Sequence, residues 1–134
     1  SLMKPENFDV ILAGNLNGDY ISDALAGQIG GSALVPSVNM NEIYAIFETS
    51  HGSAPKYAGK NVANPVSLIL SGSMLLKHIG WNEAGELIEK GLIRTFEKNI
   101  FTQDLARYSN TQPYSTMDFS REVIKNMRIE KNKY

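Results

Sequence analysis

Few stretches of this 134-residue chain can be strands, and that scarcity constrains the fold most. Residues 8–13 (FDVILA) form a short apolar run after a Lys-Pro-Glu-Asn turn and read as a buried strand. Residues 33–38 read as weakly extended, and residues 44–49 (YAIFET) alternate as a half-buried strand does. Two to four strands are marginal as an isolated sheet. The chain is therefore expected to complete a larger sheet or to pair with another copy. Hydrophobic residues make up 43% of the sequence, enough for the core of one domain.

Helical signals fill most of the rest. Asn15-Leu16-Asn17-Gly18-Asp19 reads as a turn, followed by a helix over residues 20–29 that Gly30-Gly31 stops. Its expected face is Ile21, Ala24, Leu25 and Gln28. Pro65 suits a first helical turn, and residues 66–79 follow as a helix with Leu68, Leu75 and Leu76 among its apolar positions. Asn82 is a candidate cap for a helix over residues 83–99, with Trp81 packed at the junction. Residues 101–105 read as a connector and residues 110–113 as a turn. Ser115 or Thr116 can cap a last helix reaching about Arg128, and residues 131–134 read as a frayed end. The pattern is α/β, with a helical layer behind a small sheet.

Thirteen Lys and Arg against fourteen Asp and Glu leave no general field for nucleic acid or a membrane surface. No apolar run is long enough to span a bilayer, and no signal peptide is apparent. The absence of cysteine excludes disulfides, thiolate zinc sites and cysteine nucleophiles, and fits a cytoplasmic protein. Ser1-Leu2 before Met3 reads as a cloning remnant.

Any anion site must then be local. The candidate is His51-Gly52-Ser53-Ala54-Pro55-Lys56-Tyr57-Ala58-Gly59. Six of these nine residues are small or conformationally special, which permits close approach of a ligand to the backbone. The loop carries an imidazole, an ammonium, a phenol and a hydroxyl, and no acid. Lys56, Tyr57 and the loop amides suit a phosphate, and Arg107 can return to the same place. The plainer reading is a solvated surface loop. It is neither a Walker A loop nor a GxGxxG turn. Asp19 and Asp23 stand four apart, so a helix starting near Asp19 puts both carboxylates on one face of its first turn. Two such oxygens suit Mg2+ or Mn2+, while capping and the helix dipole explain the same pair without a metal. His78, near a helix end, is read as meeting free carbonyls.

The run Asn15-Leu16-Asn17-Gly18-Asp19-Tyr20-Ile21-Ser22-Asp23, followed by residues 51–59 and then Asn64-Pro65, resembles the isocitrate and isopropylmalate dehydrogenase family. The likeness is to the C-terminal part of its NADP-dependent, isocitrate-using bacterial and archaeal branch. It covers residues 8–107, and more weakly the last helix. It implies a three-layer α/β fold with a mixed sheet, not a Rossmann fold. The whole chain, residues 1–134, would be one segment of the large domain. It implies that Asp19 and Asp23 bind Mg2+ or Mn2+. His51, Gly52, Ser53, Ala54, Pro55, Lys56 and Tyr57 would surround the adenosine half of NADP, and Asn64 would contact adenine. Lys56, Tyr57 and Arg107 match readers of the 2′-phosphate. Gln103 falls where close relatives carry a Tyr on that phosphate, and Asp104 falls beside adenine.

The family reaction is oxidative decarboxylation of isocitrate, normally by a homodimer. The substrate clamp, the catalytic Tyr and Lys and a third metal aspartate belong to upstream family sequence. Alone, the chain is expected to be inactive. A non-catalytic nucleotide-binding module and a sheet-completing interaction piece are the alternatives.

Overall fold

The computed structural model describes residues 4–127. The expected Ser1-Leu2 remnant, the expected reach of the last helix to Arg128 and the expectation for residues 131–134 all fall outside the described residues. After a 3-10 turn at Pro5–Asn7, the chain runs without regular structure into helix α1 (Asn15–Ile29). Strands β1 (Pro36–Met40) and β2 (Ala45–Thr49) form an antiparallel hairpin. Helices α2 (Val66–His78), α3 (Asn82–Glu97), α4 (Gln103–Ser109) and α5 (Thr116–Asn126) follow.

Residues 8–13 are not a strand. Val10 is 84% and Leu12 99% exposed, and Phe8 and Ile11 are open as well. A strand needs a neighbour to take its N–H and C=O groups, and no described segment lies alongside. The expected sheet is accordingly one hairpin among the described residues. Its register pairs Pro36 with Thr49 and Met40 with Ala45. The second extended stretch begins at Pro36 rather than residue 33, because Ser32–Leu34 close a 3-10 turn.

Helix α1 starts at Asn15, so the expected turn is its first turn. Gly14 is the N-cap and its carbonyl accepts from Gly18 N at 2.7 Å. The stop is as read: Gly30 adopts φ 119°, a left-handed C-cap that favours glycine. The expected apolar face is not buried. Only Ala26 is, so α1 lies almost free on the rest of the chain.

Helix α2 buries three serines and leaves two of its leucines outside, while Leu70 packs against the core and Leu76 is half-buried. Leu68 and Leu75 are exposed, while Ser67, Ser71 and Ser73 are fully covered. Ser67 Oγ donates to Val35 O at 2.5 Å and Ser71 Oγ to Glu48 O at 2.5 Å. Small hydroxyl side chains let the hairpin backbone approach the helix, and their donors satisfy carbonyls that burial would leave unpaired. On the other side Ser73 Oγ meets Gly85 O at 3.0 Å and Glu89 Oε1 at 2.8 Å. A Cβ on Gly85 would stand 3.0 Å from Ser73 O, and one on Gly91 3.1 Å from Val123 O. These two glycines set the close packing of α3 on α2 and α5. The apolar core of Val66, Leu92, Ile100, Phe119 and Val123 sits among these helices.

One cap differs from expectation, one matches it, and His78 makes a ring contact where free carbonyls were expected. Trp81, not Asn82, is the α3 N-cap, and its ring is exposed rather than packed. Ser115 caps α5 as expected, its Oγ accepting from Asp118 N at 3.1 Å. His78 stacks obliquely on Phe47, with ring centroids 5.4 Å apart.

Lys77 Nζ donates to both oxygens of Glu89 at 2.7 Å. That bond, with help from Ser73, holds the Glu89 carboxyl below its usual range. A lowered folded-state value stabilises the fold above the unfolded value and is lost as pH falls through the folded one. Thermal unfolding across acid pH should therefore show Glu89→Gln shallower than the parent below the ordinary carboxylate range. The pair is partly solvated, so the difference should stay within about 1 kcal/mol. Identical acid limbs would exclude this contribution.

Candidate adenosine-phosphate site

A cavity of about 640 Å³ opens between the turn before β1, the 51–64 loop and α4. Its lining includes His51, Gly52, Ala54, Tyr57, Asn64, Gln103, Asp104 and Arg107. Residues forty and more apart in sequence thus meet at one place. Ser53, Pro55 and Lys56 stand on the same loop without lining the cavity. Ser32, Ala33, Val62 and Ala63 line it and were not anticipated. For Ser32 and Ala33 the Gly30-Gly31 stop just before them was the available signal.

Local order makes the loop a defined wall. Thr49 Oγ1 donates to His51 O at 2.9 Å. His51 Nδ1 lies 2.9 Å from Gly52 O, an attractive contact when Nδ1 carries the proton. Ala54 is held at φ 42°, a left-handed conformation uncommon for alanine, and its carbonyl accepts from Tyr57 N at 2.9 Å. Pro55–Tyr57 then form a 3-10 turn. The far end of the loop is tied to α5. Thr116 Oγ1 donates to Ala63 O at 2.6 Å, and Met117 N to Asn61 Oδ1 at 3.1 Å.

The opposite wall is a helix, not the expected connector. Gln103, Asp104 and Arg107 occupy α4, where i, i+3 and i+4 residues share a face. Asp104 is fixed by both oxygens. Thr102 Oγ1 donates to Oδ1 at 2.6 Å and Asn64 Nδ2 to Oδ2 at 2.9 Å. Asn64 Oδ1 accepts from Val66 N at 3.0 Å, so the Asn64 side chain braces α4 against the start of α2. Both cations rest on neighbouring phenols. Lys56 Nζ is 4.9 Å from the Tyr57 ring centre, and the Arg107 guanidinium 4.6 Å from that of Tyr108. The cavity therefore offers the Arg107 cation, a fixed carboxylate and apolar walls, with Lys56 on the same loop just outside its lining, which suits an anionic group beside a base.

Asp19 and Asp23 lie elsewhere, on α1. Both are exposed and one turn apart. Neither falls in the first turn, where no acidic residue stands. Capping therefore does not account for them. No group of three or more His, Cys, Asp or Glu able to hold a metal occurs among the described residues. No described helix is long and apolar enough to cross a membrane.

The family model of isocitrate/isopropylmalate dehydrogenase matches residues 1–123. The chain belongs to that family. It is 50% identical over 125 residues to the NADP isocitrate dehydrogenase of Streptococcus salivarius, covering 92% of this chain and 32% of that one. The Aquifex aeolicus enzyme of the same name is 47% identical over 134 residues, covering 96% and 31%. The crystal structure of isocitrate dehydrogenase from Methylococcus capsulatus superposes with TM-score 0.88 at 38% identity, covering 96% of this chain and 37% of that one. The TT0538 protein of Thermus thermophilus superposes with TM-score 0.88 at 40% identity, covering 98% and 26%. The chain spans about a third of its curated family relatives and corresponds to their C-terminal part. Its α/β fold is that of the isocitrate dehydrogenases.

Proposed function

We propose that this chain carries the adenosine 2′-phosphate site, and two aspartates of the metal site, of an NADP-dependent isocitrate dehydrogenase. The observation that carries the reading is the convergence of Tyr57, Asn64, Gln103, Asp104 and Arg107 on one cavity. Lys56 and Arg107 supply the charge for a 2′-phosphate, and Tyr57 a phenolic donor. Asp104, already fixed on both oxygens, offers its remaining lone pairs to an amino group on a base. His51 and Gly52 line the same cavity.

Asp19 and Asp23 fit a hard divalent cation as two of its oxygen ligands, since both carboxylates are exposed and without a hydrogen-bond or ion-pair partner among the described residues. Mg2+ or Mn2+ takes about six ligands, so water, isocitrate or another chain segment supplies the others. A bound cation contributes Lewis-acid polarisation of substrate oxygens during oxidative decarboxylation. This chain's own part is to hold the cation from one helix face and the far end of NADP from the cavity. The substrate clamp and the proton-transfer groups come from elsewhere in a homodimer, so alone the chain does not turn over isocitrate.

Calorimetric titration with NADP and NAD tests the cofactor assignment. The parent chain should prefer NADP, and Lys56→Ala should weaken NADP about tenfold, or about 1.4 kcal/mol, with NAD unchanged. Equal affinities in the parent, or no binding of either, would overturn the reading. In that event the sheet-completing role gains, favoured by the open apolar run at residues 8–13.

A further inference from the structure

Arg107, the cation that lines the cavity, is held by the residue that follows it. Arg107 Nη2 donates to the Tyr108 hydroxyl at 2.8 Å, and its guanidinium carbon lies 4.6 Å from the ring centre. Adjacent residues on a helix point about 100° apart. This contact therefore requires the Arg107 side chain to fold back along the phenol. Because the phenol oxygen accepts from Arg107, its own hydrogen remains available to another acceptor. The ring is 72% exposed, so an incoming anion meets no barrier there. The other wall repeats the arrangement, with Lys56 over the phenol that follows it in sequence. Tyr57 and Arg107 line the cavity, while their partners Lys56 and Tyr108 stand just outside the lining.

We infer that Tyr108 is a positioning and specificity residue for the anion site. It sets the Arg107 guanidinium at the rim and presents a phenolic donor to the same phosphate. The site then grips a ribose 2′-phosphate between two cation–phenol couples, Lys56–Tyr57 on the loop and Arg107–Tyr108 on α4. Ring and hydroxyl of Tyr108 have separate duties. The stacked ring limits the rotamers of a flexible cation, which lowers the entropy lost on binding. The hydroxyl adds one hydrogen bond that only a ligand bearing the extra phosphate can use. This rests on the adenosine 2′-phosphate reading above.

The probes are adenosine 2′,5′-bisphosphate and adenosine 5′-monophosphate, titrated into the parent chain, Tyr108→Phe and Tyr108→Ala. Tyr108→Phe keeps the ring and removes the hydroxyl. It should weaken the bisphosphate roughly threefold to tenfold, the range of one hydrogen bond, and leave the monophosphate within about twofold. Tyr108→Ala should weaken the bisphosphate further, because the guanidinium loses its support. A residue serving only the fold would lower both ligands together, so the ratio is the deciding quantity. If Tyr108→Phe retains the parent's preference for the bisphosphate, or loses both ligands equally, the role of Tyr108 is refuted while the site stands. If the parent has no preference for the bisphosphate, the cofactor reading itself fails and takes this inference with it.

Discussion

Phe119→Ala is expected to be the most destabilising single truncation in the chain, costing about 3–5 kcal/mol. Phe119 is 0% exposed and belongs to the central cluster with Val66, Leu92, Ile100 and Val123. Its ring stands 6.0 Å from that of Phe96, which in turn stacks on Phe101 at 5.8 Å. Removing it forfeits the transfer of a large apolar side chain and leaves a cavity walled by α3 and α5, whose approach Gly91 already fixes. The glycine-mediated contact resists collapse, since α5 has little room to move toward α3. For a domain of this size the loss corresponds to roughly 10–20 °C in Tm. The effect should also reach the cavity. Thr116 and Met117, at the start of α5, hold Ala63 and Asn61 of the loop. Below the transition, nucleotide affinity of the variant should fall too. A Tm within a few degrees of the parent would show that this cluster is not the principal core.

Local chemistry was the legible part. Gly30 stops α1, Ser115 caps α5 and Pro65 precedes α2, each because one residue meets a backbone demand that few others can. The 51–59 loop was recognisable from composition, and its order after Asp19 and Asp23 pointed to the family. What was not legible depends on neighbours. Ser67, Ser71 and Ser73 look like a polar face of α2, yet they form its buried face, because backbone carbonyls of Val35, Glu48 and Gly85 come within reach. Leu68 and Leu75, which periodicity assigns to a core, face outward. Residues 103–109 look too short and polar for a helix, but the fixed Asp104 and buried Ala106 hold α4 against the loop. Gly18 argues for a turn by propensity, about 1 kcal/mol against helix, and the 15-residue α1 overrides it. In the site, the loop residues could be read individually, whereas the Asn64–Asp104 bond that joins its two walls spans forty residues and has no local signature.

The open apolar surface at the front of the chain leads to the largest functional effect. Val10 and Leu12 are 84% and 99% exposed, and Leu16, Tyr20 and Ile29 of α1 are open as well. Covering side chains of this size stabilises by about 1.5–3 kcal/mol each. The chain alone should therefore self-associate at high concentration, detectable by analytical ultracentrifugation. The Val10→Asp, Leu12→Asp double variant should be monomeric at unchanged Tm, because neither side chain contributes to the folded core. The relatives carry about two further thirds of sequence that this chain does not cover. That upstream region of the Streptococcus salivarius enzyme, purified separately, should compete with self-association and bind this chain. The mixture, given isocitrate, NADP and Mg2+, should reduce NADP, while neither piece does so alone. The double variant should bind its complement more weakly and recover less activity, the outcome expected of one apolar run serving both assemblies. Turnover by this chain alone would overturn the division of labour proposed for it. A complex that forms equally well with the double variant would move the docking surface away from residues 8–13, and a clean monomer of the parent at high concentration would remove the apolar argument altogether.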